Sequence, residues 1–149
     1  MSDTATAPTA PGGPEETMTV LVYSDDVTVR QRVRLALGRR PAPDLPRLEY
    51  RECATHPAAM DILDAGGIDL CVLDGEAAPI GGMGVCRQIK EEIVDAPPVL
   101  LLIGRPSDAW LAAWSRAESV VSYPLDPIVL ADEAARLLRV QRRVRAQQG

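Results

Sequence analysis

The chain has 149 residues, of which 46% are hydrophobic, and it carries a formal net charge of −5 at pH 7. This length and composition are typical of one globular domain with a single core. The negative net charge argues against a general nucleic-acid-binding protein. No apolar run is long enough to cross a membrane, and the N-terminus lacks the basic start and apolar stretch of a signal peptide.

The cysteines indicate the compartment. Cys53, Cys71 and Cys86 have no metal-ligand spacing, and they fall in two predicted strands and one predicted helix. We expect buried thiols in a reducing environment. Together with the missing membrane segment and signal peptide, this predicts a cytoplasmic protein.

Composition divides the chain into three parts. Residues 1–17 are rich in Thr, Ala, Pro and Gly, which predicts a disordered N-terminal tail. Residues 18–140 contain all the periodic segments and are expected to form the domain. Residues 141–149 form a basic C-terminal tail, and the sequence leaves open whether the last helix continues into it.

Apolar segments rich in β-branched residues alternate with segments of helical spacing. Strands are predicted at residues 18–24, 48–54, 68–74, 97–104 and 119–123. Helices are predicted at residues 25–38, 57–67, 83–94, 107–117 and 126–144. Because helices alternate with strands and the central strands are apolar throughout, we expect an α/β fold with a parallel sheet and helices on both faces.

Several helix ends carry recognisable signals. Asp26 is the predicted N-cap of the first helix and Gly38 its stop. Ser107 is the predicted cap of the fourth helix, and Asp126 followed by Pro127 marks the start of the fifth. The apolar stripe of the fifth helix is predicted to consist of Ile128, Ala131, Ala135 and Leu138.

Two carboxylates stand where the chain leaves predicted strands. Asp25 follows the first strand and Asp74 ends the third. In the flavodoxin-like strand order 2-1-3-4-5 these strands are neighbours, so both side chains would reach the cleft at the topological switch point. Close carboxylates need a cation, and oxygen ligands with room for waters suit Mg²⁺. The candidate roles are Asp74 as nucleophile toward a phosphoryl donor, Asp25 as metal ligand and the backbone carbonyl of Glu76 as another ligand.

Three segments together resemble the receiver domain of two-component response regulators. They are "VLVYSDDVTVRQRVRLAL" at 20–37, "DLCVLDGEAAPIGGMGVCRQI" at 69–89 and "SYPLDPIVLADEAARLLR" at 122–139. The resemblance covers residues 19 to about 140. It implies a flavodoxin-like (βα)5 fold, a signalling role, and a histidine kinase or a downstream target as protein partner.

The resemblance also assigns residues. Asp25 matches the second residue of the family's acid pair, and Asp74 matches the phosphoacceptor. Gly104 stands at the small residue after the fourth strand. Pro124 matches a proline that follows a cis peptide bond in the family, which implies a cis bond here.

The chain departs from the family at other site positions. Ser24 replaces the first acid of the pair, Ile103 replaces the switch Ser/Thr, and Tyr123 replaces the lysine. Pro79 lies one position later than usual in the third loop. An acid and a base are lost together, so Mg²⁺ binding is not excluded on charge alone. However, the absent lysine would supply a charge-assisted bond to phosphate of about 1.5–3 kcal/mol. We therefore expect inefficient phosphorylation that is weakly coupled to any output.

The fourth helix carries Trp110 and Trp114, four residues apart. With Ala113 and Ala117 they form a stripe that fits a core face. In receivers, the surface formed by the fourth helix, fifth strand and fifth helix meets partners or a second copy, so an exposed tryptophan there would be an interface anchor.

Three hypotheses follow. The chain is an atypical, stand-alone receiver that acts as an interaction module without needing phosphorylation, and it is not an enzyme. Alternatively, Asp74 is a working Mg²⁺-dependent phosphoacceptor that relays a signal from a histidine kinase. A small enzyme or nucleotide site is the third hypothesis, but no phosphate loop and no nucleophile–base pair supports it.

Overall fold

The computed structural model describes residues 16–78 and 80–148. The predicted disordered tail therefore falls almost entirely outside the described residues, as does the shifted Pro79. The strands are β1 (Thr17–Tyr23), β2 (Arg47–Cys53), β3 (Leu70–Asp74), β4 (Val99–Ile103) and β5 (Ser119–Ser122). The helices are α1 (Val27–Leu37), α2 (His56–Asp64), α3 (Gly82–Glu92), α4 (Ala109–Ser115) and α5 (Pro127–Gln148).

All five strands are parallel, in the order β2-β1-β3-β4-β5. Alternate strand side chains point to opposite faces, which produces two cores. One face of the sheet packs against α1 and α5, and the other against α2, α3 and α4. This confirms the flavodoxin-like (βα)5 fold and places β1 beside β3, so the ends of the strands that precede Asp25 and carry Asp74 are neighbours.

Most of the predicted helix caps are confirmed. The Asp26 side chain accepts a hydrogen bond from the Thr28 amide, and Gly38 ends α1 with φ +63°. Asp126 caps α5 by accepting from the Ile128 amide at 2.8 Å. The prediction for Ser107 is wrong, because a short 3₁₀ turn over Pro106–Asp108 precedes α4. A proline favours the first position of a helical turn, so the turn starts one residue earlier and leaves Ser107 inside it.

The predicted stripe of α5 is wrong at Ile128, whose side chain is 73% exposed. The side chains that α5 buries are Leu130, Ala134, Ala135, Leu137 and Leu138. Positions separated by three or four residues share one face of a helix, and the sheet selects the face that begins at Leu130.

The C-terminal end of α5 is tied to the sheet by ion pairs. Residues 141–148, which the sequence assigned to a basic tail, are helical. Arg142 pairs with Glu16 just before β1, and Arg145 pairs with Asp69 just before β3. Asp69 is buried and also accepts a hydrogen bond from the Thr19 amide at 2.8 Å.

The predicted burial of the three cysteines, Cys53, Cys71 and Cys86, is confirmed, and all three are free thiols. Burial raises the pKa of each thiol, to about 11 for Cys53. Among the helices of residues 16–78 and 80–148, none is long and apolar enough to span a membrane.

Candidate functional site at the carboxyl edge of the sheet

The site forms where the carboxyl ends of β1, β3, β4 and β5 meet. Asp74 is the last residue of β3 and is only 3% exposed. Ser24 follows β1 and is fully buried, and Ile103 ends β4 and is also buried. Tyr123 follows β5, is partly buried, and precedes Pro124 through a cis peptide bond, as the family resemblance implied.

The Asp74 carboxylate accepts three hydrogen bonds. Ser24 Oγ donates to Oδ2 at 2.7 Å. The Tyr123 hydroxyl and the Glu76 backbone amide each donate to Oδ1 at 2.9 Å. A carboxylate offers about four lone-pair positions, so three donors occupy most of its accepting capacity. Hydrogen bonds to an ionised acceptor are the stronger kind, and we call this set the Asp74 cage.

The Ser24 hydroxyl is oriented by its surroundings. Its oxygen accepts a hydrogen bond from the Asp26 amide at 3.0 Å, which leaves the hydroxyl proton for Asp74. The backbone of Ser24 is fixed by two further hydrogen bonds. The Ser24 amide donates to the Cys53 carbonyl, and the Ser24 carbonyl accepts from Arg30 Nη1. The sequence analysis did not predict the Ser24–Asp74 hydrogen bond. The available signal was a hydroxyl residue, Ser24, just after β1 and an acid, Asp74, at the end of the neighbouring strand β3.

Tyr123 is a neutral donor at the position where the resemblance to receiver domains implies a lysine. Burial raises its pKa, and the nearby charge and hydrogen bond of Asp74 raise it further. Tyr123 is therefore protonated at neutral pH and cannot supply a positive charge. Its backbone amide donates to the Ile103 carbonyl at 2.9 Å, which ties the loop to β4.

The Asp74 cage opens into a cleft of about 530 Å³, which we call the Asp74 cleft. The structure brings Asp25 to this cleft as predicted, together with Asp26 and Glu76. No Lys or Arg is among the described residues that line it. The Glu76 carboxylate lies over Gly104, where an added Cβ would approach it within 3 Å. The Asp74 cleft is therefore acidic and has no lining cation.

The donor set does not fit Mg²⁺ as it stands. Asp74 already accepts three hydrogen bonds, and Asp26 uses one oxygen to cap α1. Within the described ranges, no group of three or more His, Cys, Asp or Glu side chains is arranged to hold a metal ion. Asp25 and the Glu76 carbonyl remain oxygen donors of the type that Mg²⁺ takes, whereas Asp74 has little accepting capacity left with which to join them.

Ile103, at the position of the family's switch residue, is an aliphatic side chain in the core beneath α2, α3 and α4. It has no hydroxyl to bond a ligand in the Asp74 cleft.

Both tryptophans of α4 are exposed, Trp110 by 68% and Trp114 by 49%, so the core interpretation is wrong. α4 instead buries Ala112 and Ser115. The guanidinium of Arg87 lies 4.6 Å from the Trp114 ring centroid, and Arg87 Nη1 donates to the Trp114 carbonyl at 2.8 Å. The cation–π contact holds the Trp114 ring on the surface.

Comparison with known proteins identifies the family. The chain is 57% identical over 120 residues to a response regulatory protein of Mycobacterium tuberculosis, which is matched in two strains, and the alignment covers 80% of this chain and 90% of that protein. No family model matches.

Solved structures agree on the fold. A chemotaxis response regulator of Vibrio cholerae superposes with a TM-score of 0.68 at 18% identity, covering 82% of this chain and 99% of that chain. The signal receiver domain of an HD domain-containing protein from Pseudomonas fluorescens gives 0.71 at 20% identity, covering 87% and 92%. The five-stranded parallel sheet, the acidic cleft at its carboxyl edge and the close curated relative together show that the chain belongs to the response regulators, as a receiver domain of two-component signalling.

Proposed function

We propose that this chain is an atypical receiver that acts mainly as a protein-interaction module, with weak or absent phosphorylation of Asp74 and no enzymatic activity. The observation that carries the proposal is the Asp74 cage. Both side-chain donors of the cage, Ser24 and Tyr123, replace charged residues of the family, and both bond the carboxylate that would have to react.

Phosphorylation would work against the local electrostatics. A phosphoryl group on Asp74 would bring negative charge beside Asp25, Asp26 and Glu76, and none of the described residues that line the cleft is a Lys or Arg that could neutralise it. Repulsion between the phosphoryl group and these neighbouring carboxylates disfavours phosphorylated Asp74. The reaction also needs one Asp74 oxygen, and releasing one side-chain bond to an ionised carboxylate costs about 1.5–3 kcal/mol.

Signal transmission would also be weak. A ligand shifts a conformational equilibrium only through contacts that differ between the two states. The buried aliphatic Ile103 offers no such contact to a phosphoryl group. Binding of a protein partner needs no conformational change at Asp74, so a signalling role through binding would persist if Asp74 did not react.

The surface that supports binding is formed by α4, β5 and α5. Trp110 of α4, Val120 of β5 and Ile128 of α5 are exposed, and Trp114 is exposed on α4 where it stacks against Arg87 of α3. Tryptophan is enriched among residues that dominate binding energy at protein interfaces. We propose that a protein partner, either a signalling protein or a second copy of this chain, binds here. We propose a cytoplasmic location, which the three free thiols support.

The second candidate is a working phosphoacceptor. Asp74 does line an open cleft beside Asp25, which favours access by a small phosphodonor. Intact-mass spectrometry after incubation with acetyl phosphate and Mg²⁺ separates the two candidates, with Asp74→Ala as control. Our proposal predicts little or no gain of a phosphoryl group in the wild-type chain. A near-complete gain that Asp74→Ala abolishes would establish the second candidate instead.

A further inference from the structure

A second groove, of about 550 Å³, lies between α1 and the outer strand β2. Its apolar part is formed by Leu35, Leu48 and Tyr50, and its rim by Arg34 and Arg39. Leu35 is 82% exposed, although it is a large aliphatic side chain. None of these five residues lines the Asp74 cleft. We call this second site the arginine-rimmed groove.

The groove is held in shape before anything binds. The Tyr50 hydroxyl donates to the Gly38 carbonyl at the end of α1. The Arg34 guanidinium lies 5.2 Å from the Tyr50 ring centroid and donates to Glu52 Oε2 at 2.8 Å. A preformed site loses little conformational freedom on binding, which favours affinity.

The charge around the groove is opposite to that of the chain. Residues 30–52, which include the Glu52 partner of Arg34, contain seven arginines and three acidic residues, a net charge of +4, whereas the whole chain carries −5, so the remainder carries −9. The seven are Arg30, Arg32, Arg34, Arg39, Arg40, Arg47 and Arg51. All are arginine rather than lysine, and the planar guanidinium matches a carboxylate in paired hydrogen bonds.

We infer that the arginine-rimmed groove binds an acidic segment of a partner protein, which places an apolar side chain against Leu35 and Tyr50 and carboxylates against Arg34 and Arg39. Exposed apolar surface bordered by polar groups marks a binding site. The positive rim makes the complement acidic. This inference does not depend on whether Asp74 is phosphorylated.

The same observations disfavour two other occupants. A second copy in a symmetric contact would place one +4 region against another, which is repulsive. Nucleic acid would be attracted to the rim but repelled by the net charge of −9 carried by the rest of the chain. Its phosphates would also leave the apolar floor of the groove without a partner.

The test uses the full chain and two synthetic peptides made of Glu, Asp and Leu with a single Trp. The two peptides have the same composition, but one has an extended and the other a helical pattern of apolar residues. Amide chemical shifts in ¹H–¹⁵N NMR spectra report where each peptide binds, and fluorescence anisotropy gives the affinity. We expect shifts at Leu35, Arg39 and Tyr50, and loss of binding when the acids are replaced by Gln. Arg39→Glu should weaken binding about tenfold or more. The matched control Arg32→Glu, on α1 but outside the groove lining, should weaken it much less.

Other outcomes overturn the inference. Equal weakening by Arg39→Glu and Arg32→Glu would mean diffuse attraction without a groove. Competition by an oligothymidylate as strong as that by the peptide would mean a nucleic-acid site. If the chain alone sedimented in a concentration-dependent way and Leu35→Asp abolished that dependence, the groove would bind a second copy of the chain. If neither peptide changed the amide chemical shifts of the groove residues, no acidic segment would bind there.

Discussion

The Tyr123 hydroxyl and Asp74 Oδ1 are joined by a 2.9 Å hydrogen bond between the loop after β5 and the end of β3. The two residues are 49 positions apart in the chain. In place of a cation beside the acid, the site has a neutral donor whose pKa is raised by burial and by the acid itself. Asp74 is thus satisfied by hydrogen bonds rather than neutralised by charge, and the predictions about the site follow from that.

Removing the Tyr123 hydroxyl should destabilise the fold. Tyr123→Phe loses one hydrogen bond to an ionised acceptor in a partly buried site, which we expect to lower the free energy of unfolding by about 1–2 kcal/mol. Urea denaturation measures the change. In the Asp74→Ala background the same substitution should cost almost nothing, because the acceptor is gone. Additive effects in this double-mutant cycle would show that the two groups do not interact.

Stability should decline at alkaline pH through the tyrosines. Burial raises the pKa of Tyr23, Tyr50 and Tyr123 above the ordinary value of 10, to about 12 for Tyr50. The unfolded chain therefore releases these protons before the folded chain does. Their stabilising contribution is complete below pH 10 and is lost as the pH rises toward 12 and beyond. Ultraviolet absorbance of tyrosinate should show little ionisation of the folded chain at pH 10, and half-ionisation there would contradict the packing.

Asp74 should govern part of the Tyr123 shift. Asp74→Asn removes the negative charge, the second cause of the raised pKa, but leaves the burial that is the first. We expect the pKa of Tyr123 to fall most in the variant, that of Tyr23, which the Asp74 charge also raises as the smallest of its causes, to fall less, and that of Tyr50 to stay unchanged. Identical titration curves for the two proteins, both folded by circular dichroism, would be evidence against the hydrogen bond.

The end of α5 should contribute to stability. Arg145→Ala removes one donor from buried Asp69 and leaves the bond from the Thr19 amide, and burial already raises the pKa of Asp69. Because Arg145 is itself partly exposed, we expect a loss of about 1–2 kcal/mol in the free energy of unfolding. Arg136→Ala removes a surface pair with Glu133 on the same helix and should cost below about 1 kcal/mol. Equal effects would mean that residues 141–148 do not stabilise the domain.

The tryptophans should be nearly dispensable for folding. Trp114→Ala loses the contact with Arg87, worth about 0.5–1 kcal/mol, and Trp110→Ala should cost less. A core tryptophan would instead cost about 3–5 kcal/mol. Thermal or urea unfolding of the two variants distinguishes a surface from a core, and a loss in the core range would rule out α4 as an exposed binding face.

Much of the architecture follows from sequence pattern. Alternating helical and apolar segments predict the parallel sheet, and the positions of Asp25 and Asp74 at the ends of adjacent strands predict the shared cleft. Helix-start signals such as Asp126 before Pro127 depend on residues close together in the chain, so they can be recognised from the sequence without knowing the fold.

The errors arise where tertiary packing decides. Ile128 and Leu130 are both apolar, and only docking on the sheet selects Leu130 for the core. The Ser24–Asp74 bond depends on an amide from Asp26 that fixes the direction of the hydroxyl, and no local pattern shows that direction. Strand ends indicate which residues converge but do not show how their hydrogen bonds are arranged.

The most direct test of the Asp74 cage restores the charged residues that it replaces. Intact-mass spectrometry with acetyl phosphate and Mg²⁺ should show a phosphoryl gain in the Ser24→Asp/Tyr123→Lys double variant, little or none in the wild-type chain, and none when Asp74→Ala is added to the double variant. A wild-type chain that is phosphorylated as completely as the double variant would contradict the claim that the cage suppresses Asp74.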